Sequence, residues 1–166
     1  MNEAVNGSLD GAAKTPWHLW AIGIISLLWN AGGGASDYIQ VHLEVESYLA
    51  QGAEMVGITV AQIISYYDAF PIWANISWAL GVWGAVAGSV LLLLRSRFAF
   101  HAFIVSLFGL IVTTLHTQSS PMPIASDPAL AEAAGTFQLV FAAVIWIVTL
   151  LLIYYARRMT KAGVLR

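Results

Sequence analysis

Residues 72–117 read IWANISWALGVWGAVAGSVLLLLRSRFAFHAFIVSLFGLIVTTLHT, two long apolar runs joined by Arg95-Ser96-Arg97. Each run has the roughly 20 residues with which an α-helix crosses a hydrocarbon core of about 30 Å. So short a junction allows only antiparallel neighbours. Lipid offers the backbone no hydrogen bonds, so only helices and closed barrels span it, and runs of this length exclude a barrel strand. Working outward, two further runs start near Trp17 and Phe137. The expected spans are 17–36, 72–94, 98–117 and 137–156. This is an all-α membrane protein, a four-helix transmembrane bundle running up-down-up-down.

Charge orients the bundle. Lys14 precedes the first span, Arg95 and Arg97 sit between the second and third, and Arg157, Arg158, Lys161 and Arg166 follow the fourth. The other two loops contain no Lys or Arg. Of the acids, only Glu3 and Asp10 share the basic side; Asp37, Glu44, Glu46, Glu54, Asp68, Asp127 and Glu132 fall on or near the opposite one. Positive charge retained in the cytoplasm therefore predicts a multi-pass protein of a bacterial inner membrane with both termini cytoplasmic. Trp17, Trp20, Phe98, Tyr154 and Tyr155 would form the inner aromatic belt, and Tyr38, Tyr66, Tyr67, Trp73 and Phe137 the outer one.

Composition agrees: 59% of residues are apolar and 10% charged, against about 25% charged in soluble domains. Four spans in 166 residues leave no room for a separate soluble domain. The net charge of -2 provides no basic surface for nucleic acid. With no cysteine, thiol catalysis and disulfides are excluded. Gly33-Gly34-Ala35 resembles a small-residue cleavage site, but the long, non-basic stretch ahead of it marks a retained first helix.

Residues 1–15 carry no apolar period and read as a disordered tail, 16–158 as the membrane domain, and 159–166 as a basic cytoplasmic tail. The first helix should continue past Asp37 toward Leu49, and Gln51–Ile58, with its two glycines, reads as a break. Thr59 with Gln62 forms a capping-box pattern ahead of Val60–Phe70, whose stripe of Ile63, Ile64 and Tyr67 suits a short interfacial helix in the first outer loop. Asp127-Pro128 reads as the start of the last helix, well before its apolar stretch.

One polar constellation stands out. Asn30, Gly33, Gly34 and Asp37 share a helix face, with Glu44 further along. An amide inside hydrocarbon must face the bundle and find a partner; Asn75, Ser77 and Gln138 have suitable depth. The glycines either admit a neighbouring backbone or let the helix unwind beside a ligand. A polar cleft of Asn30, Asp37 and Asn75 is thus the candidate site. Gly81, Gly84 and Gly88 of the second span, with Gly33 and Gly34, are the expected helix-packing positions. His18 and His101 fall near one face and His42 and His116 near the other, where histidine is ordinarily a wet boundary residue. His42 and Glu46 are spaced as a helix-stabilising pair. No nucleophile, metal or phosphate-loop motif is present, so no catalytic residue, metal or cofactor is expected.

The chain also resembles a family of small bacterial four-span proteins. The shared stretches are Trp17-His18-Leu19-Trp20, Leu28-Trp29-Asn30 through Asp37-Tyr38, Tyr48-Leu49, Tyr67-Asp68-Ala69-Phe70-Pro71-Ile72-Trp73, Trp78 through Gly84, Leu93-Leu94-Arg95-Ser96-Arg97, and Tyr155-Ala156-Arg157-Arg158. Members of that family are uncharacterised, some loosely labelled sugar transporters, which implies a solute-moving role and no specific site residues. The leading expectation is a non-enzymatic accessory or interaction protein. It would pack through glycine-rich faces against the lipid bilayer, a second copy or other membrane subunits. The alternative is a small-solute transporter acting as an oligomer through a cleft at Asn30 and Asp37.

Overall fold

The computed structural model describes residues 15–166, so Glu3, Asp10, Lys14 and all of the amino tail but Thr15 lie outside it. Among the described residues the chain is helical throughout, with no strand. The helices are α1 (Trp17–His42), α2 (Glu46–Val56), α3 (Val60–Asp68), α4 (Ile72–Leu93), α5 (Phe98–Ser119) and α6 (Pro128–Lys161). Four of them, α1, α4, α5 and α6, are long and apolar enough to cross a membrane.

The closest seam joins α4 to α5. A Cβ placed on Gly84 would stand 3.0 Å from the backbone nitrogen of Ser106, and one on Gly88 would stand 2.6 Å from the ring of Phe103. Gly109 presses its bare Cα face onto Ser77 and Gly81. Ser106 crosses the seam and donates to the Gly81 carbonyl at 2.6 Å. Between apolar spans in lipid, where the hydrophobic effect is absent, such contacts and their dispersion energy hold helices together. The turn that closes this pair is built at Arg95, whose φ of 58° is left-handed. Arg95 N–H donates to Leu92 and Ser96 N–H to Leu91, the pairing that satisfies the last carbonyls of a helix.

Around that pair, α1 runs opposite to α4, with Gly23 against Leu93, Asn30 at Ala85 and Ser89, and Tyr38 beside Trp78. Helix α6 joins mainly at the arginine-turn end, where Leu19, Leu92, Phe103, Leu152, Ala156 and Met159 share one core. Beyond that core α6 is largely unsupported: Leu139, Phe141 and Val144 are all exposed.

Three expectations are corrected here. Residues 159–166 are not a free tail: α6 extends to Lys161, Val164 and Leu165 are buried, and Arg166 exchanges backbone hydrogen bonds with Arg95 and Arg97. The first helix stops at His42 because Glu44 adopts a left-handed φ of 49°. This also separates His42 from Glu46, which cannot act as neighbours on one helix. Gly52 does not break the next helix, which continues to Val56 and ends at the left-handed Gly57.

Thr59 and Gln62 form both hydrogen bonds of the capping box that starts α3. Its stripe packs Ile63, Ile64 and Tyr67 against Val41, Leu49, Ala53 and Trp78. Asp127 caps α6 by accepting from the backbone of Ala129 and Leu130 at 2.9 and 3.1 Å.

Gly84→Leu drives a side chain into the Ser106 backbone and should lower stability by at least about 1–3 kcal/mol. Gly33→Ala meets open space and should be neutral or stabilising by up to about 1 kcal/mol, since alanine exceeds glycine in helix propensity by that amount. Thermal unfolding of both variants in detergent micelles measures the difference, and equal melting temperatures would contradict the seam.

Candidate functional site

The middle of α1 departs from α-helical winding. Leu28–Ala35, with sequence LWNAGGGA, forms a π-helix. Each glycine costs a helix about 1 kcal/mol relative to alanine, and three in succession remove the side-chain packing that enforces the tighter α winding. Wide helical turns of this kind are rare and concentrate at functional sites. Here the wide turn faces a partly open cavity of about 480 Å³ lined by α1, α4, α5 and α6 and by Tyr48 of α2.

Asn30 lies on that wall. Its Nδ2 donates to Ser89 Oγ at 3.0 Å and to the Ala85 carbonyl at 3.4 Å. Ala85 O can only accept, which fixes the amide's orientation. Its Oδ1 accepts no side-chain hydrogen bond among the described residues. The partner is therefore not Asn75, Ser77 or Gln138. Gly23 against Leu93 sets the α1–α4 register, which places Asn30 in the arginine-turn half of α4, about 20 Å of helix from Asn75. Ser77 donates to its own helix at Trp73, and Gln138 is exposed.

Asp37 lines the same cavity and accepts the Tyr48 hydroxyl through Oδ1. Gln40 folds back on Ser36, bonding its hydroxyl at 2.9 Å and its carbonyl at 3.3 Å. Across the cavity, Thr149 is satisfied by Ile145 O at 2.8 Å. Thr113 differs: its Oγ1 is buried against the cavity wall and has no hydrogen-bond partner. Trp29, Trp78 and Phe141 add aromatic surface. Trp29 and Phe141, with ring centres 6.5 Å apart, bridge the α1–α6 gap, and Phe141 stacks on Phe137 at 5.8 Å.

Of the expected site, then, Asn30 and Asp37 share one cavity and Asn75 does not. Asn75 donates to Phe70 O at 3.4 Å and lines a separate pocket of about 200 Å³ with His42, Glu44, Tyr67 and Asp68. Gly33 and Gly34 also need correcting: nothing lies within 4 Å of a Cβ on either, so within this chain they face the cavity and pack against no backbone. Glu44 falls beyond the end of α1 and leaves the shared face. Ser89, Ser106, Thr113 and Thr149 escaped sequence reasoning because a lone hydroxyl in a span ordinarily bonds its own helix. Tyr48 escaped it because only the fold returns α2 to Asp37.

The histidines meet aromatic partners. His18 Nδ1 is 2.6 Å from the Tyr155 hydroxyl, His42 stacks on Tyr38, and His116 is buried between the edges of Phe70 and Trp73. Among the described residues no three His, Cys, Asp or Glu side chains converge as metal ligands would. No known family model, curated protein or solved structure matches the chain. Its chemistry has to be read from its own residues.

Burial, and then the bond to Asp37, push the Tyr48 hydroxyl well above the ordinary tyrosine range. A raised tyrosine pKa stabilises the fold fully below the unfolded value of about 10, and this contribution is lost as pH rises beyond it. Tyr48 therefore remains a donor to Asp37 throughout the neutral range. Tyr48→Phe should reduce, without abolishing, the loss of stability that the parent chain shows above about pH 10, since burial raises Tyr66 and Tyr67 as well; parallel alkaline titrations test this, and identical profiles would contradict it.

Asn30→Leu should be tolerated. Ser89 keeps its own bond to Ala85 O at 2.9 Å, and interhelical hydrogen bonds in membranes contribute about 0.6 kcal/mol on average. An unfolding measurement giving a loss of several kcal/mol would assign Asn30 a larger structural role.

Proposed function

We propose that this chain is a non-enzymatic, multi-pass membrane protein that binds a small organic solute in the α1 cavity, in the manner of a transport or solute-sensing subunit. The observation that carries this reading is the cavity itself. Its volume of about 480 Å³ falls within the range of about 300–1,000 Å³ typical of ligand sites. The π-helical wall and the Asn30 Oδ1, which accepts no side-chain hydrogen bond among the described residues, meet the same space.

Discontinuous helices whose irregular backbone lines a cavity are a recurrent device for binding solutes at membrane depth. Within this reading the four spans run up-down-up-down in a bacterial inner membrane with both termini cytoplasmic, as the basic residues require. Helix α3 lies at the outer interface. One chain of four spans encloses little volume, so an oligomer is the working unit. The family resemblance, with its loose transporter labels, agrees with a solute-moving role.

The accessory reading remains the second one, and the exposed half of α6 favours it: Leu139, Phe141 and Val144 would suit a partner span as well as lipid. The α4 glycines offer that reading less support, because Gly81, Gly84 and Gly88 already lie against α5.

The absence of cysteine permits a direct test. Gly33→Cys introduces a single thiol where nothing crowds a Cβ. It should react with a membrane-impermeant maleimide in intact membranes, and Gly84→Cys, inside the α4–α5 seam, should not. A Gly33 thiol that stays unreactive would mean a dry bundle and favour the accessory role. For orientation, a reporter active only in the cytoplasm should work when fused after Arg166 and fail after Ser120; activity at Ser120 would invert the topology.

A further inference from the structure

The charge pattern of the cavity narrows the ligand's chemistry. Among the described residues, Asp37 is the one formally charged side chain on its wall, and no Lys, Arg or His lines it. Tyr48 engages Asp37 Oδ1, and Oδ2 accepts no side-chain hydrogen bond among the described residues. A partly buried carboxylate is costly unless it meets an opposite charge or enough donors, and a single phenol leaves it half satisfied. Four aromatic rings, those of Trp29, Tyr48, Trp78 and Phe141, line the same cavity. Aromatic faces attract cations, most strongly where water is excluded.

His42 is the one basic side chain close enough to act on Asp37 among the described residues, and it lies outside the cavity. His42, one turn beyond Asp37, engages the Tyr38 carbonyl through Nδ1 at 2.8 Å, stacks on the Tyr38 ring, and lines the other pocket. The arginines cluster at the turn end of the bundle, where Arg95 and Arg97 exchange backbone bonds with Arg166.

Resting on the reading of this cavity as a ligand site, we propose that it selects organic monocations. The ligand class is an amine or quaternary ammonium carrying apolar substituents. Asp37 supplies the counter-charge, the rings form the cage, and the glycine wall of the π-helix provides room. An anion would meet an uncompensated carboxylate and no basic group. A neutral apolar solute would leave Oδ2 unpaired, and a neutral donor would leave the carboxylate's charge uncompensated.

The test uses the full chain in lipid nanodiscs, with benzyltrimethylammonium as the probe and neopentylbenzene as its uncharged carbon isostere. Binding is followed by quenching of tryptophan fluorescence and corrected against empty nanodiscs. The parent chain should bind the cation at least about tenfold more tightly than the isostere, the ratio that corresponds to about 1.4 kcal/mol. Asp37→Asn preserves an acceptor for Tyr48 and should remove most of that preference while leaving the isostere's affinity unchanged. Asp37→Glu should restore it.

Equal binding of both probes, unaffected by Asp37→Asn but lost in Gly33→Leu, would overturn the cation proposal and leave the cavity reading standing. If neither probe binds the parent chain and Gly33→Leu behaves identically, the cavity reading fails and the proposal falls with it. A cation preference that survives Asp37→Asn in a folded variant would also overturn it, since the counter-charge would then lie elsewhere.

Discussion

Everything else in this protein is arranged around the contact of α4 with α5. Gly84 and Gly88 on one helix and Gly109 on the other lie so close to Ser106, Phe103 and Gly81 that added methyl groups would press on backbone or ring atoms. In lipid there is no gain from hiding apolar surface, so helices associate where small residues let many atoms reach van der Waals distance. The Ser106 hydroxyl on Gly81 O is available only because the backbones are already close. This pair is the rigid part against which α1 is registered and α6 is leaned.

The cavity follows from how unequally the other two spans join that pair. Helix α1 follows α4 along its length, held by Leu93 against Gly23, by the Asn30 amide and by the Tyr38–Trp78 contact. Helix α6 joins fully only near Leu152, Ala156 and Met159. Further along, space opens between α6 and α1, and the π-helical winding of Leu28–Ala35 widens the wall that faces it. Bulky side chains in place of Gly32, Gly33 and Gly34 would occupy the same room. Glycine is therefore used in two opposite ways in one bundle: to close a seam in α4 and to keep a space in α1.

At the far end of the cavity the short helices matter. The left-handed Glu44 turns the chain back, α2 carries Tyr48 to Asp37, and α3 is seated by its Thr59–Gln62 capping box over Val41, Leu49 and Trp78. A carboxylate that belongs to a spanning helix is thus completed by a phenol from a segment outside the spans. The geometry of α2 and the state of Asp37 are coupled through one hydrogen bond.

Much of the architecture was legible in the residues. Apolar runs of about 20 residues compel helices, because lipid leaves the backbone no other partner. Local chemistry marked Asp127-Pro128 as a helix start and Thr59 with Gln62 as a capping box. Asn30 and Asp37 could be placed on one face because helical spacing alone does so. Pairing between helices was legible only for α4 and α5, through their short junction. Whether a glycine closes a seam or lines a space depends on what stands opposite it, and the sequence of one helix contains no record of its neighbour. The Asn30 partner was misjudged for the same reason: it depends on the axial register of α1 against α4, which Gly23 and Leu93 decide by shape. Glu44, Tyr48 and Thr113 took their roles only when the tertiary structure turned the chain, returned α2 to Asp37 and left one buried hydroxyl without a partner.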